Sequence, residues 1–264
     1  MKKNVYLWLC ALVLAMAGLS SCSNDEGFVD DKKDDKLDLN GKMELTASDF
    51  DGVDWGETAP YTETIGKVTV RKNLYGQICE ASFPSDAGDQ RPADAGEFSK
   101  MYLGFDEDNE LVLHHKDDED YERQLNVSNE LYNQYYKGVR VYGTVYYFHY
   151  ENGLLTAANG VWRNIKDFNF QKNISKEQAK DIFAKFWGLS PDQVVEKDVK
   201  SWNSSTNIEY CIAMLPKQGK LTPYLVYHIT LDVSVSDYGT GIFGYVNAQT
   251  GKMVYAGETV CIAF

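Results

Sequence analysis

Residues 139–150 read VRVYGTVYYFHY, a run filled by β-branched and aromatic side chains. That composition suits a pleated, half-buried surface, so the run is expected to be one long strand. Alternation along it would turn Val141, Val145 and Tyr147 inward and Tyr142, Tyr146 and Phe148 outward. Glu151-Asn152-Gly153 breaks the run, and Asn-Gly between apolar stretches marks a hairpin. A second strand follows through Leu154, Leu155 and Ala157, with Asn159-Gly160 expected to close it. A two-stranded ribbon is marginal in water, so the rest of the chain must supply a surface for it to pack on.

Downstream, residues 161–172 form a polar connection carrying Trp162, Phe168 and Phe170. A helix is then expected from an N-cap at Ser175, with Gln178 completing a capping box. Ala179, Ile182, Phe183 and Phe186 recur on one helical face, and Gly188 stops the run. Ser190-Pro191-Asp192 starts a shorter turn. Strand-like runs follow at 208–215, 224–235 and 242–246, the last leading through the turn 247–252 into 253–256. Upstream, 65–71, 74–83, 101–105 and 110–115 read as short strands. The Asp/Gly/Ala/Pro-rich stretch 84–97 reads as a loop.

The run Tyr132-Asn133-Gln134-Tyr135-Tyr136-Lys137-Gly138-Val139-Arg140-Val141-Tyr142-Gly143 resembles the FTP motif of fungalysin/thermolysin propeptides. It departs from the family at Leu131, where Arg is common, and at Arg140, where Pro is common. The helix opening at Ile174-Ser175, the apolar strand after it and the turn Asn247-Ala248-Gln249-Thr250-Gly251 resemble a PepSY domain, with Asn247 where Asp is usual. Together the resemblances span residues 122–258, in the order found in propeptides of thermolysin-like metallopeptidases. They imply an α+β fold, antiparallel sheets packed against one long helix, behind a β-rich N-terminal segment. The implied layout is a signal peptide at 1–21, an acidic tether at 22–42, an unassigned β-rich segment at 43–120, an FTP-like hairpin unit at 121–168 and a PepSY-like domain at 172–262.

The N-terminus reads as a targeting signal. Lys2-Lys3 precede an apolar stretch at 5–19 that is short for a membrane span. Leu19-Ser20-Ser21-Cys22 resembles the lipobox of bacterial lipoproteins, which implies cleavage between Ser21 and Cys22 and acylation of Cys22. Ser23-Asn24-Asp25-Glu26 resembles the acidic export tags of surface-exposed lipoproteins, so the expected location is the outer membrane, lipid-anchored, at the cell surface. Residues 22–42 hold seven acids and four lysines and few apolar residues, too little to order a segment alone. The whole chain of 264 residues carries a net charge of −13, which repels nucleic acid and anionic lipid. With 44% hydrophobic residues it can still bury a core.

The residues that would do chemistry do not assemble into a known catalytic pattern. The four histidines are His114, His115, His149 and His228. None is followed by Glu and no two are four apart, so the His-Glu-x-x-His zinc helix is missing. No Gly-x-Ser-x-Gly elbow or phosphate loop occurs. Adjacent His114 and His115 on a strand face opposite ways and make a poor metal pair. Asp106-Glu107-Asp108-Asn109 alternates carboxylates like a calcium loop but lacks the Gly and distal Glu of an EF-hand, and a solvated turn explains it. Cys79 reads as core. Cys211 and Cys261 lie on strands of one domain, where a bridge and two separate buried thiols are both open. The sequence ends at Phe264, a few residues past the last propeptide-like strand, so no peptidase domain is expected.

No catalytic residue, metal site or cofactor is therefore expected, and the chain reads as a non-enzyme. Two functions remain. One is a propeptide-like inhibitor or folding helper of a secreted metallo- or cysteine protease. The other is a surface lipoprotein that binds another envelope protein. Tyrosine is enriched at interfaces, and Tyr135, Tyr136, Tyr142 and Tyr146 are the candidate partner contacts. Replacing Cys22 by Ala is expected to abolish both palmitate incorporation in labelled cells and the mass loss of signal cleavage, read by mass spectrometry. Unchanged labelling in Cys22→Ala would remove the lipid-anchor reading.

Overall fold

In a computed structural model the structure describes residues 43–117, 126–196, 207–232 and 240–260. All lie in one compact unit, Leu39–Phe264; the other unit, Met1–Asp38, falls outside the described residues, as do Ser21, Cys22 and the expected tether. The described strands are β1 (Tyr61–Ile65), β2 (Val68–Lys72), β3 (Ile78–Ser82), β4 (Asn109–Lys116), β5 (Val127–Tyr136), β6 (Val139–Tyr142), β7 (Val145–Glu151), β8 (Leu154–Val161), β9 (Asn207–Lys217), β10 (Lys220–Asp232), β11 (Thr240–Asn247) and β12 (Met253–Val260). They form one twelve-stranded sheet, ordered β1-β2-β3-β8-β7-β5-β6-β9-β10-β11-β12, with β4 added beside β5. Among the described residues the α-helices are α1 (Ala95–Phe98) and α2 (Lys176–Trp187).

The expected α+β architecture, antiparallel sheets against one long helix, is thus corrected to a fold made mostly of strand. Helix α2 starts at its Ser175–Gln178 capping box but is only 12 residues long. Gly188, at φ 69°, ends it, because a left-handed residue cannot continue a right-handed helix. It buries Ala179, Phe183 and Ala184 and covers part of one sheet face. The sheet is also not wholly antiparallel: β6 runs parallel to β9, through Val141↔Ile212 and Tyr142↔Ala213. In the N-terminal part, Gly66 turns the chain between β1 and β2, and the expected strand at 101–105 is instead a π turn, Ser99–Leu103.

The run 139–150 is not one strand. Gly143, at φ 75°, and Thr144, whose hydroxyl donates to Val141 O at 2.6 Å, split it into β6 and β7. The left-handed residue resets the alternation, so the expected faces invert in the second half. Tyr146 and Phe148 are buried at 1% and 0% exposure, while Tyr147, expected inward, is 36% exposed. Val141 remains buried, but in a different core from Tyr146 and Phe148.

Three cores result. One packs α2 and the aromatics Phe168 and Phe170 on one face of β9–β12. A second gathers Phe83, Phe98, Leu103, Tyr146, Phe148 and Trp162 under α1 and the π turn. The third covers the opposite face of β9–β12 with Leu45 and Phe50. Strands β9 to β12 are therefore buried on both faces, which explains why they read as continuous apolar runs.

Asn159-Gly160 is not a closing turn: both lie within β8, opposite Tyr147 and Tyr146 of β7. A Cβ on Gly160 would stand 2.2 Å from Val145 O and 2.6 Å from Tyr146 Cα. Both are backbone atoms of a paired strand and cannot give way without opening the ladder. Gly160→Ala is expected to destabilise the fold by about 2–3 kcal/mol, the cost of overpacking, measured as a lower urea midpoint. An unchanged midpoint would mean that β7 can move away.

Candidate functional site

Of the four tyrosines singled out as partner contacts, Tyr136 and Tyr146 are each 1% exposed. Tyr136 stacks on Phe170 in the first core, and Tyr146 donates to Ile78 O across the second. Neither offers a surface. Tyr135 is half-buried on the other side of β5, and Tyr142 is half-buried beside the third core. The four are not brought together.

Residue Gln134, seen in the sequence only as part of a motif, has a structural role. Its side chain is 1% exposed and grips the backbone of Arg163 twice. Nε2 donates to Arg163 O at 2.7 Å, and Oε1 accepts from Arg163 N at 2.8 Å. A primary amide can do this because it carries donors and an acceptor side by side, as a peptide group does. Arg163 is itself 7% exposed, and its Nη2 donates to Trp55 O at 2.6 Å. Burial lowers its pKa from the usual arginine value. Asn73 fastens the same loop: its Nδ2 donates to Gly56 O, and its Oδ1 accepts from the amides of Tyr75 and Gln77. The sequence marks Asn73 as a turn between two strands, which its bonds to Tyr75 and Gln77 bear out, but not its reach to Gly56. Nothing in the pattern marked Arg163, whose partners Gln134 and Trp55 lie far along the chain.

A cluster of titratable groups lies where β6 meets β9 and β10. Arg140 Nη1 donates to Glu209 Oε1 at 3.0 Å, and the guanidinium carbon lies 6.0 Å from the Tyr142 ring centre. His228, 5% exposed, has its ring 4.3 Å from that of Tyr142 and stacks on Tyr245 at 4.7 Å. Burial, with Arg140's charge adding to it, pushes the His228 imidazole down to about 4. Cys211 lies on the same face of β9, and burial pushes its thiol well above the ordinary range. A nucleophilic cysteine needs the opposite shift, so this cluster holds a neutral thiol and a neutral imidazole.

Elsewhere the tempting groups are occupied locally. Asp106 Oδ1 accepts from Asp108 N and Asn109 Nδ2, and Asp108 pairs with Lys137 at 3.1 Å. His114 and His115 are exposed on β4, and His115 lies 3.0 Å from Asp117. Cys79 is a free buried thiol, as is Cys211, while Cys261 lies outside the described residues. Among the described residues no group of three His, Cys, Asp or Glu side chains could hold a metal ion.

Among the described residues, one sheet face is only partly covered. On the side of β2, β3, β8, β7 and β5 turned away from the second core stand Arg71, Glu80, Asn159, Tyr147, His149 and Asn129. Arg71 pairs with Glu80 at 3.0 Å. His149 sits between two amides, Nδ1 at 2.7 Å from Asn129 Oδ1 and Nε2 at 2.6 Å from Asn159 Oδ1. Arg71 also donates to Ala59 O from Nε and Nη2, so the chain before β1 lies over that end of the row. Sequence alternation could have found this face only with the Gly143 break taken into account.

No family model matches the chain, and no curated protein does. Four solved chains match, one of them the C-terminal domain of Bacillus megaterium YpeB, at 16% identity over 75% of this chain and 81% of that one, with a TM-score of 0.31. At that TM-score the likeness decides neither fold nor function.

A buried neutral His228 makes stability depend on pH. Its folded pKa of about 4 lies below the unfolded 6.5, so the unfolded chain takes up the proton first. Stability is full above about pH 6.5 and is lost as pH falls from there toward 4. The loss amounts to about 3 kcal/mol for a shift of this size. In His228→Phe, which keeps an aromatic ring, the difference in unfolding free energy between urea titrations at pH 7 and pH 4 is expected to shrink by that amount. An unchanged difference would place the pH response elsewhere.

Proposed function

We propose that the chain is a non-catalytic, propeptide-like protein, lipid-anchored at Cys22 in the outer membrane, that inhibits a secreted metallo- or cysteine protease or assists its folding. The observation that carries the reading is the partly exposed sheet face across β2, β3, β8, β7 and β5, with Arg71 paired to Glu80 and His149 held between Asn129 and Asn159. A preformed surface loses little entropy on docking. Tyr147 on that face, with Tyr135 in the same strand phase on β5, replaces the buried pair Tyr136 and Tyr146 as the aromatic contacts. The net charge of −13 favours a basic partner surface by complementarity. The resemblance of residues 132–143 and 174–251 to FTP and PepSY segments supports a protease as the partner class.

A second reading is favoured by the lipobox-like Leu19-Ser20-Ser21-Cys22. A propeptide that is cut away needs no permanent anchor, whereas an envelope binding module does. The expected outcome under the first reading is that the purified protein at micromolar concentration slows at least one member of a panel of secreted metallo- and cysteine proteases, or raises its refolding yield. Tyr147→Ala is expected to weaken that effect about tenfold, the scale of one interface aromatic. If neither rate nor yield changes across the panel, the protease reading falls. Cross-linking on intact cells would then be expected to capture an envelope protein instead.

A further inference from the structure

The free edges of the sheet are not alike. At β12 the edge is taken by the chain's own N-terminal segment, with Glu44 N donating to Met253 O and Leu45 N to Val254 O. Strand β4 is blunted by an irregular register between Leu113 and His115 and by a charged end, Lys116 pairing with Glu130. Bulges and charges of this kind are how natural sheets discourage added strands. Strand β1 has neither a bulge nor an internal proline, and all five of its residues are exposed.

The register of β1 says which groups its edge presents. Ile65 pairs with Val68 across the two-residue turn Gly66-Lys67, with Glu63↔Val70 and Tyr61↔Lys72 following. The closing pair of such a hairpin is hydrogen-bonded, and pairs alternate from there. Ile65, Glu63 and Tyr61 therefore bond inward to β2, while the amides and carbonyls of Thr62 and Thr64 point away from the sheet. The side chains of Tyr61, Glu63 and Ile65 share the face of Val68 and Val70, which are buried in the second core. The core stops short of them: Tyr61 is 57% and Ile65 39% exposed. Below their end of the sheet runs a groove of about 390 Å³, lined by Ile65, Lys72, Tyr75, Met101, Leu103 and Trp162. Tyr75 and Met101 are themselves 49% and 45% exposed.

We propose that the outer edge of β1 is a strand-addition site for an extended segment of another protein, one carrying Lys or Arg with an apolar residue two positions away on either side. In an antiparallel addition, Thr62 and Thr64 would form the hydrogen-bonded pairs. Glu63 then falls in a non-bonded pair, where opposed side chains come closest. Its carboxylate already accepts from Lys72 but keeps half its surface, 52%, in solvent. It selects a cation opposite. The flanking apolar residues would cover Tyr61 and Ile65 and extend the core toward the groove. A second copy of this chain is disfavoured by the same residue, because any register that sets Tyr61 against Ile65 also sets Glu63 against Glu63. The inference does not rest on the protease reading, since any protein with such a segment would serve.

The test uses the full chain in detergent and two end-blocked, fluorescent peptides. One is Ser-Thr-Val-Thr-Lys-Thr-Val-Thr-Ser; the other has Glu in place of Lys. The Lys peptide is expected to bind at least tenfold more tightly than the Glu peptide, and Glu63→Lys is expected to reverse the preference. Thr64→Pro, which removes an outward N–H and no ladder bond, should keep the parent melting temperature and lose the peptide. Equal affinity for both peptides, no binding of either below about 1 mM, or binding unaffected by Thr64→Pro would each overturn the proposal. So would a dimer of the chain that Thr64→Pro dissolves. No protease is present in this assay, so its failure and the failure of inhibition are separate results.

Discussion

The sheet depends on one change of partner. Strand β5 carries β7 along its first half and β6 along its last two residues, Tyr135↔Arg140 and Tyr136↔Val139. Strand β6 then turns its other edge to β9. Both halves of the run 139–151 thus face β5 along one edge, and what changes at Gly143 is the partner on the other edge, β8 for β7 and β9 for β6. Gly143 makes the switch possible by entering a conformation that costs an ordinary residue roughly 1 kcal/mol or more, and Thr144 ties the break back to Val141. Everything on either side follows from that joint. The first and third cores lie on the β9–β12 side of it, and the second lies on the β7–β8 side.

A joint with so few ladder bonds needs reinforcement, and buried polar contacts supply it. Gln134 stands in β5 between Tyr132, which packs on the second core, and Tyr136, which belongs to the first. By gripping both backbone groups of Arg163 it fixes the chain where it leaves β8 for the C-terminal strands. Losing one such partner would leave a buried donor or acceptor unsatisfied, which costs about 1–3 kcal/mol. Arg140 and Glu209 act across the same joint from the opposite face, linking β6 to β9. The two contacts lie on opposite sides of the sheet, so together they resist hinging in either direction.

This division explains what could be read from the sequence. Local signals were legible: the Ser175 cap, the Gly188 stop, the Asn152-Gly153 hairpin with φ values of 53° and 73°, and the β9–β12 runs. Each is settled within a few residues. The long-range features were not. A single glycine in a strand-like run reads as a weak strand residue, and only the pairing partners show that it ends one strand and starts another. Taking the run as continuous carried the wrong phase into Tyr146, Tyr147 and Phe148. The same reasoning took Gly160 for a turn, when it lies in mid-strand and yields to the close approach of β7. The helix drew the fold toward α+β because its caps are clear in sequence, whereas the number of strands is a sum of pairings that no window displays.

What remains uncovered is then a consequence of how the cores are closed. Residues 43–55 spend their apolar side chains, Leu45 and Phe50, on β9–β12, and α1 with the π turn closes the second core from below. Segment 56–59 reaches only one end of the other face of β2, β3, β8, β7 and β5, where Arg71 and Cys79 donate to the Ala59 and Gly56 carbonyls. That face is polar: Arg71 pairs with Glu80 and donates to Ala59 O, and the His149 ring lies between the side chains of Asn129 and Asn159. A face already fixed by its own hydrogen bonds is pre-organised, yet it offers little affinity by itself because those groups are taken. Strong docking there would have to come from the aromatic side chains that rise out of the row, Tyr147 foremost. The phase that lifts Tyr147 out of that row is itself set by the break at Gly143, which turns Tyr146 and Phe148 inward.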